Sequence, residues 1–363
     1  MKYQRLVEAF FSSNWAILPE KYEAIRALIE LRSAGGQVSE EEIAIFRAAS
    51  RPSPRTAGNV AVIPIYGTIS YRANMLSEFS GGTSVQQLTK TFRQALADES
   101  IKAIIFDVDS PGGEVSGVQE LADEIYAARG QKKTVAVANA LAASAAYWLA
   151  SSAAELVVTP SGQVGSIGVF TAHLDKSKLN EGVGIGVTYI FAGKYKTEAN
   201  PDQPLSGDAQ AAIQDTVNSY YDAFVNSIAR NRGVAADDVR NGMGEGRVVV
   251  AAQAKKLKMV DRIATLDQTL SRFGVSSQVK PMGAISDLNQ VEASTGAEDD
   301  EGCMCSCAKC QADDCDDCMN PECEDPICKD GGCPNQAKAR STAPAMPLNL
   351  RRRKQQMAER QLV

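Results

Sequence analysis

Three uninterrupted apolar runs alternate with amphipathic segments, and that alternation restricts the fold more than any other feature. VAVIPIYGTI (60–69), KAIIFDVD (102–109) and KTVAVAN (133–139) are apolar at consecutive positions, as strands covered on both faces must be. Between them, SVQQLTKTFRQAL (84–96) and GVQELADEIYAA (117–128) read as amphipathic helices, and AASAAYWLASSA (142–153) reads as a third. Shorter runs, ELVVT, GSIGVF and GVTYIF, predict further strands. A long helical stretch covers 207–232, and AAQAKKLKM (251–259) predicts one more helix. Buried strands alternating with helices imply an α/β domain with a mainly parallel sheet. In such sheets the site lies beyond the carboxyl ends of the strands, where SPGG (110–113) and the start of AASAAYW fall.

The flanks read differently. Residues 1–50 predict a helical N-terminal extension, with Tyr22, Ile25, Leu28 and Ile29 at helical spacing and Ser39 as a cap for a second helix. A linker with two prolines leads into the domain at 59–273. Residues 275–302 are polar and acidic and read as a linker, 303–333 hold the cysteines, and 334–363 form a basic tail. No run of about 18 apolar residues is present, so neither a membrane span nor a signal peptide is expected, and a cytosolic location follows. The net charge of −6 argues against a dedicated nucleic-acid binder.

Two counts narrow the chemistry. His173 is the only histidine, in the stretch TAHLDKSKL with no partner signature around it, and a Ser-His-Asp triad would have to use it. All nine cysteines, Cys303, Cys305, Cys307, Cys310, Cys315, Cys318, Cys323, Cys328 and Cys333, lie in one segment, so residues 1–302 hold no thiol nucleophile or disulfide. Dense thiols with acidic neighbours suit a soft metal, zinc by default, and a segment this poor in apolar residues needs metal or disulfides to fold. The competing reading is a reduced segment without structure. No cofactor is expected for catalysis, and no nucleotide-binding GxxxxGK[ST] loop is present.

Serine, lysine and backbone N–H groups remain. Ser144 lies near the start of a helix after a buried strand, where unpaired N–H groups can stabilise an oxyanion, although a serine among alanines is also how a helix cap reads. Gly112 and Gly113 allow the backbone after the 102–109 strand to approach a bound chain. Lys196, in FAGKYKTE, would act as a base only if burial lowered its pKa from about 10.4 toward about 7–8.

The order strand–SPGG, strand–AASAAYW, VGSIGV, then GKYK resembles the signal peptide peptidase A family of serine-lysine peptidases. The resemblance runs from about Val60 to Ile263 and takes in GEGRVVVAAQAKKLKMVDRI. It implies a ClpP/crotonase-like fold. Ser144 would be the nucleophile, Lys196 the general base, and Ser166 the residue orienting that lysine. The N–H groups of Gly113 and Ala145 would form the oxyanion hole. Two departures stand out. Ser144-Ala145-Ala146 replaces the family's usual serine-glycine-glycine, and Lys194 precedes Lys196 by two residues.

With its N-terminal extension and GKYKTEANPDQPLS, the chain is similar to the phage and prophage capsid-assembly branch, that of the lambda head protease. That implies a homo-oligomer in the bacterial cytoplasm or inside the procapsid, acting on scaffold, portal and capsid proteins, with no membrane or nucleic-acid partner. The alternatives are a general cytosolic peptidase of the same family and an inactive capsid-assembly protein. A crotonase-like enzyme acting on acyl-CoA is a further rival, which would need neither Ser144 nor Lys196. Self-cleavage near the 275–302 linker is a further hypothesis for an active peptidase.

Overall fold

The computed structural model describes residues 7, 10–11, 13–33, 52–72, 82–275 and 280–281. The Ser39 helix, the cysteine segment, the basic tail and most of the 275–302 linker lie outside the described residues. The chain passes through β1 (Trp15–Ile17), α1 (Pro19–Ser33), β2 (Arg55–Ala57), β3 (Val60–Tyr66), β4 (Ile69–Ser70) and β5 (Thr83–Ser84). Helix α2 (Val85–Ala97) leads to β6 (Ala103–Ser110), β7 (Gly112–Glu114), α3 (Val118–Ala127), β8 (Lys133–Ala143) and α4 (Ala145–Ser151). Next come β9 (Glu155–Val158), β10 (Gln163–Gly165), α5 (Ser177–Gly182) and the long α6 (Gly207–Arg232). They are followed by α7 (Ala236–Gly242), β11 (Val248–Val250), α8 (Ala251–Lys256), β12 (Arg262–Ile263), α9 (Leu266–Ser271) and β13 (Lys280–Pro281).

The three long apolar runs become β3, β6 and β8, paired in parallel at the centre of one sheet. Strands β9 and β10 also join β8 in parallel, and antiparallel pairing is confined to β2 with β3 and β13, and to β10 with β11. Side chains alternate across this sheet with the period of two that strands impose. Ile63, Ile65, Ile104, Phe106, Ala136 and Ala138 meet α2, α3, α4 and α6 on one face, through Phe92, Leu121, Trp148 and Phe224. Val60, Val62, Ala103, Ile105, Val135 and Val137 meet Leu266 and Leu270 of α9 on the other. Both faces are covered, which is why the strands read as continuous apolar runs. The expected α/β class with a mainly parallel sheet is the one observed.

Strand β8 carries two partners on one edge. Val135–Ala138 pair with β9, whereas Leu141–Ala143 pair with β10. Between them Ala140 takes φ 106°, and the register against β6 shifts between Val108 and Ser110. Such a bulge bends a strand and re-aims its end. A second, smaller sheet, ordered β1-β7-β4-β5, grows from the end of β6.

Three elements depart from expectation. Of the predicted strand GSIGVF (165–170), only Gly165 lies in a strand, β10, and Phe170 forms a single bridge to Trp15. The predicted helical extension contains a strand, β1, because Trp15–Ile17 finds an open edge on β7 and pairing to it overrides local preference. The predicted strand GVTYIF (186–191) is not one, since no strand edge among the described residues meets it.

Helix α4 is held against α6 by Trp148 and Phe224, whose rings stack 4.4 Å apart and 5° from parallel. Both are fully buried. Phe224→Ala should lower the free energy of unfolding by about 3–5 kcal/mol, read from the urea midpoint. A cost under about 1 kcal/mol would contradict this packing.

On the α9 side of the sheet, Asp107 is 2% exposed. Its carboxylate accepts from Tyr66 Oη at 2.8 Å and Asn139 Nδ2 at 3.1 Å, with Arg55 3.9 Å away. Burial pushes this carboxyl up, and the hydrogen bonds and Arg55 only partly oppose it. The folded value exceeds the unfolded one, so its stabilising contribution is complete below about pH 3.9 and is lost as pH rises through the folded value. Asp107→Asn should therefore gain stability relative to the parent protein on going from pH 4 to pH 7 in urea unfolding. A difference that is the same at both pH values would contradict this.

Candidate active site

The end of β8 and the start of α4 meet at Ser144, which takes φ 56° and ψ −120°. A non-glycine residue in this region costs on the order of 1–3 kcal/mol and persists only where its surroundings hold it. What holds it here is the backbone, since Ser144 N donates to Gly165 O at 2.7 Å. The residue is 1% exposed, and its Oγ approaches Gly168 O at 3.5 Å, the limit of a hydrogen bond.

The neighbour across the β8–β10 ladder is Ser166. Ala143 pairs with Gly165, so the next residue of each strand is one of the two serines. Ser166 is also buried, also has positive φ (52°), and donates its N–H to Arg247 O at 2.9 Å. Two serines with positive φ thus flank one another at the carboxyl ends of parallel strands.

The third component is β7. A Cβ on Gly112 would stand 2.9 Å from Ser144 Cβ and 3.0 Å from Ala143 O, so only glycine admits this approach. Gly113 follows it. Ala145 occupies the first turn of α4, where backbone N–H groups have no intrahelical acceptor. Ser144 and Ser166 thus follow paired positions of β8 and β10, Gly112 approaches Ser144, and Gly113 and Ala145 are the next residues along their chains.

Lys196 does not join them. It is exposed, in a turn where its N–H donates to Gly193 O at 3.0 Å, and its ammonium makes no ion pair among the described residues. The segment leading to it exposes Val183 (61%), Ile185 (56%), Ile190 (97%) and Phe191 (52%). His173 is half-buried, with Nε2 lacking a hydrogen-bond partner, and no recorded contact links it to Ser144. Among the described residues no group of three His, Cys, Asp or Glu could hold a metal, and no helix is long and apolar enough to cross a membrane. The nine cysteines lie outside the described residues.

Sequence reasoning missed the supports of α4. Arg129 donates to Ser151 O and Ser152 O, both at 2.9 Å, and to Asn231 O at 3.3 Å. The Asn231 side chain donates to Ser151 Oγ and Ser152 Oγ at 3.0 and 2.9 Å. A cation at the carboxyl end of a helix satisfies its last carbonyls, here fixing the helix that begins at Ser144. Also missed was β1, which lies against β7. A groove of about 560 Å³ between α2 and α3, lined by Tyr71, Val85, Arg93 and Leu121 among others, shares no residue with the surroundings of Ser144.

Residues 127–280 match the model of Peptidase family S49, a span that includes Ser144, Ser166 and Lys196. The head-tail preconnector protein GP5 of Enterobacteria phage P21 is 32% identical over 185 residues, covering 51% of this chain and 37% of the relative. The capsid assembly protease C of Escherichia phage lambda is 30% identical over 222 residues, 59% of this chain and 51% of the relative. The chloroplastic serine protease SPPA of Arabidopsis thaliana is 27% identical over 213 residues, 58% of this chain and 31% of the relative. The chain thus spans about half, or less, of the length of these relatives. Through residues 127–280, this chain is similar to Peptidase family S49, and the proteins it resembles include a phage capsid assembly protease and a chloroplastic serine protease SPPA.

Proposed function

We propose that the chain is a serine endopeptidase in which Ser144 attacks a peptide carbonyl and Lys196 is the general base. The observation that carries this reading is the backbone of Ser144, held at positive φ between β8 and α4. In this reading the N–H groups of Gly113 and Ala145 form the oxyanion hole for the attack of the Ser144 hydroxyl. Neutral Lys196 removes the hydroxyl proton as the Ser144 Oγ–carbonyl bond forms, and the two N–H groups receive the oxyanion. The tetrahedral intermediate expels the amine, protonated by the lysine, and water deacylates the enzyme with the same base. Ser166 orients the lysine.

A lysine serves as a general base only where burial disfavours its charged form, so Lys196 must leave solvent for this chemistry. The apolar run before Lys196 supplies the means. Val183, Ile185, Ile190 and Phe191 form an exposed stretch that a monomer would not keep bare. In a homo-oligomer this stretch packs on a neighbouring copy and carries Lys196 into a dry site. The substrates are proteins of a forming phage head, scaffold, portal or capsid, a reading that rests on the P21 and lambda relatives.

Ser144→Ala should abolish fluorophosphonate labelling and cleavage of a casein-like substrate. Lys196→Ala should slow cleavage by about 10²–10⁴-fold, the usual contribution of a general base. Undiminished cleavage in Ser144→Ala would sink the mechanism, and an unlabelled wild-type oligomer would favour an inactive assembly protein. Ile190→Asp should shift the sedimentation coefficient toward the monomer and reduce activity in parallel. An unchanged oligomer would contradict the role given to this segment.

A further inference from the structure

The approach to Ser144 is already filled by the chain's own amino-terminal segment. Strand β1 runs antiparallel to β7, with Trp15 opposite Glu114, Ala16 opposite Gly113 and Ile17 opposite Gly112. Leu18 N donates to Pro111 O at 2.9 Å and Val115 N donates to Asn14 O at 3.1 Å. Hydrogen-bonded and non-bonded pairs alternate along an antiparallel ladder, so these two bonds set its phase. They make Ala16 and Gly113 the pair that exchanges bonds, with the Gly113 N–H donating to the Ala16 carbonyl. The other edge of β1 is held as well. Trp15 N donates to Phe170 O at 2.8 Å, and Phe170 N donates to Trp15 O at 3.0 Å.

Ser144 is at the same place. The point where a Gly112 Cβ would stand is 2.2 Å from the Ala16 carbonyl oxygen and 2.9 Å from Ser144 Cβ. Trp15, Ala16 and Ile17 are all at most 2% exposed. Trp15 is pinned by its Nε1 donating to Phe10 O at 3.0 Å and by ring contacts with Phe10 and Tyr22.

We infer that residues 14–18 are a resident strand in the chain's own substrate cleft, and that another polypeptide can be cleaved only after they leave. The inference rests on the assignment of Ser144 as nucleophile. A protein substrate reaches that serine as an extended strand whose main chain pairs with an exposed edge. Its scissile carbonyl must meet the Gly113 N–H, which the Ala16 carbonyl occupies. The edge at Phe170 that would hold the preceding residue is taken by Trp15. One ladder position accepts one strand, so the resident segment and a substrate exclude each other. The resident strand stays uncut because Lys196 lies out in solvent, without a bond to Ser144. It also outlines the acceptable substrate, with a small residue opposite Gly113 and a large apolar residue just before it.

The test is Ala16→Pro in the full-length chain. Proline has no N–H to give Gly113 O, so it weakens β1, while Ser144, Lys196 and the N–H groups of Gly113 and Ala145 are all retained. Labelling of Ser144 by a fluorophosphonate should become about tenfold faster, the change expected when one backbone hydrogen bond of ordinary strength is lost, with Ser144→Ala as the blank. Equal or slower labelling of a folded variant overturns this inference and leaves the nucleophile standing. No labelling of either protein overturns both. Should Ala16→Pro fail to fold, hydrogen exchange on the unmutated chain decides. Saturation with a peptidyl boronate should speed exchange at the amides of Trp15 and Ala16 about tenfold or more, as release of a hydrogen-bonded strand requires. Unchanged protection there overturns the inference.

Discussion

The bond from Ser144 N to Gly165 O is the contact on which the cleft depends. It exists because β8 bends at Ala140 and passes from β9 to β10 along one edge, so that its last residues enter a second ladder. With that bend, Ser144 takes a positive-φ conformation next to Ser166 across the ladder, at the start of α4. The small residues nearby follow from this approach. Gly112 has no room for a Cβ, and Ala143, Ala145 and Ala146 are fully buried where larger side chains would force the strands apart.

The rest of the sheet makes that geometry rigid. Phe224 stacks on Trp148, Arg129 and Asn231 bind the far end of α4, and Arg232 pairs with Asp261 at 2.7 Å, which lies just before β12. Burial alone would raise Asp261, but the bonds from Arg232 and the Leu156 N–H outweigh it and hold the carboxyl low. A short helix of seven residues is thereby fixed at both ends, as a positioned nucleophile requires.

How much of this could be read in advance depended on whether the signal was local. Helix α6 follows the predicted span because Ser206 caps it through Ala209 N and Gly233 ends it at φ 64°, both short-range effects. The central strands were equally legible from their apolar runs. Strand β1 was not, because three residues carry little pattern and their partner, β7, lies about a hundred residues away in sequence. Asn14 and Pro19 bracketing an apolar tetrapeptide were the available hint. The 186–191 run had the composition of a strand but no edge to join among the described residues. The candidate site divides the same way. Positions 144 and 166 are brought together by the β8–β10 ladder, whereas the surroundings of Lys196 depend on what covers an exposed apolar segment.

An experimental structure of the full-length chain after reaction with a peptidyl fluorophosphonate tests the central claim most directly. It should show the phosphonate bonded to Ser144 Oγ, its free oxygen within hydrogen-bond distance of Gly113 N and Ala145 N, and Lys196 buried beside the adduct. The peptide should lie along β7, where Ala16 now sits. An unmodified Ser144, or an adduct on any other residue, would contradict the assignment of this serine as the nucleophile.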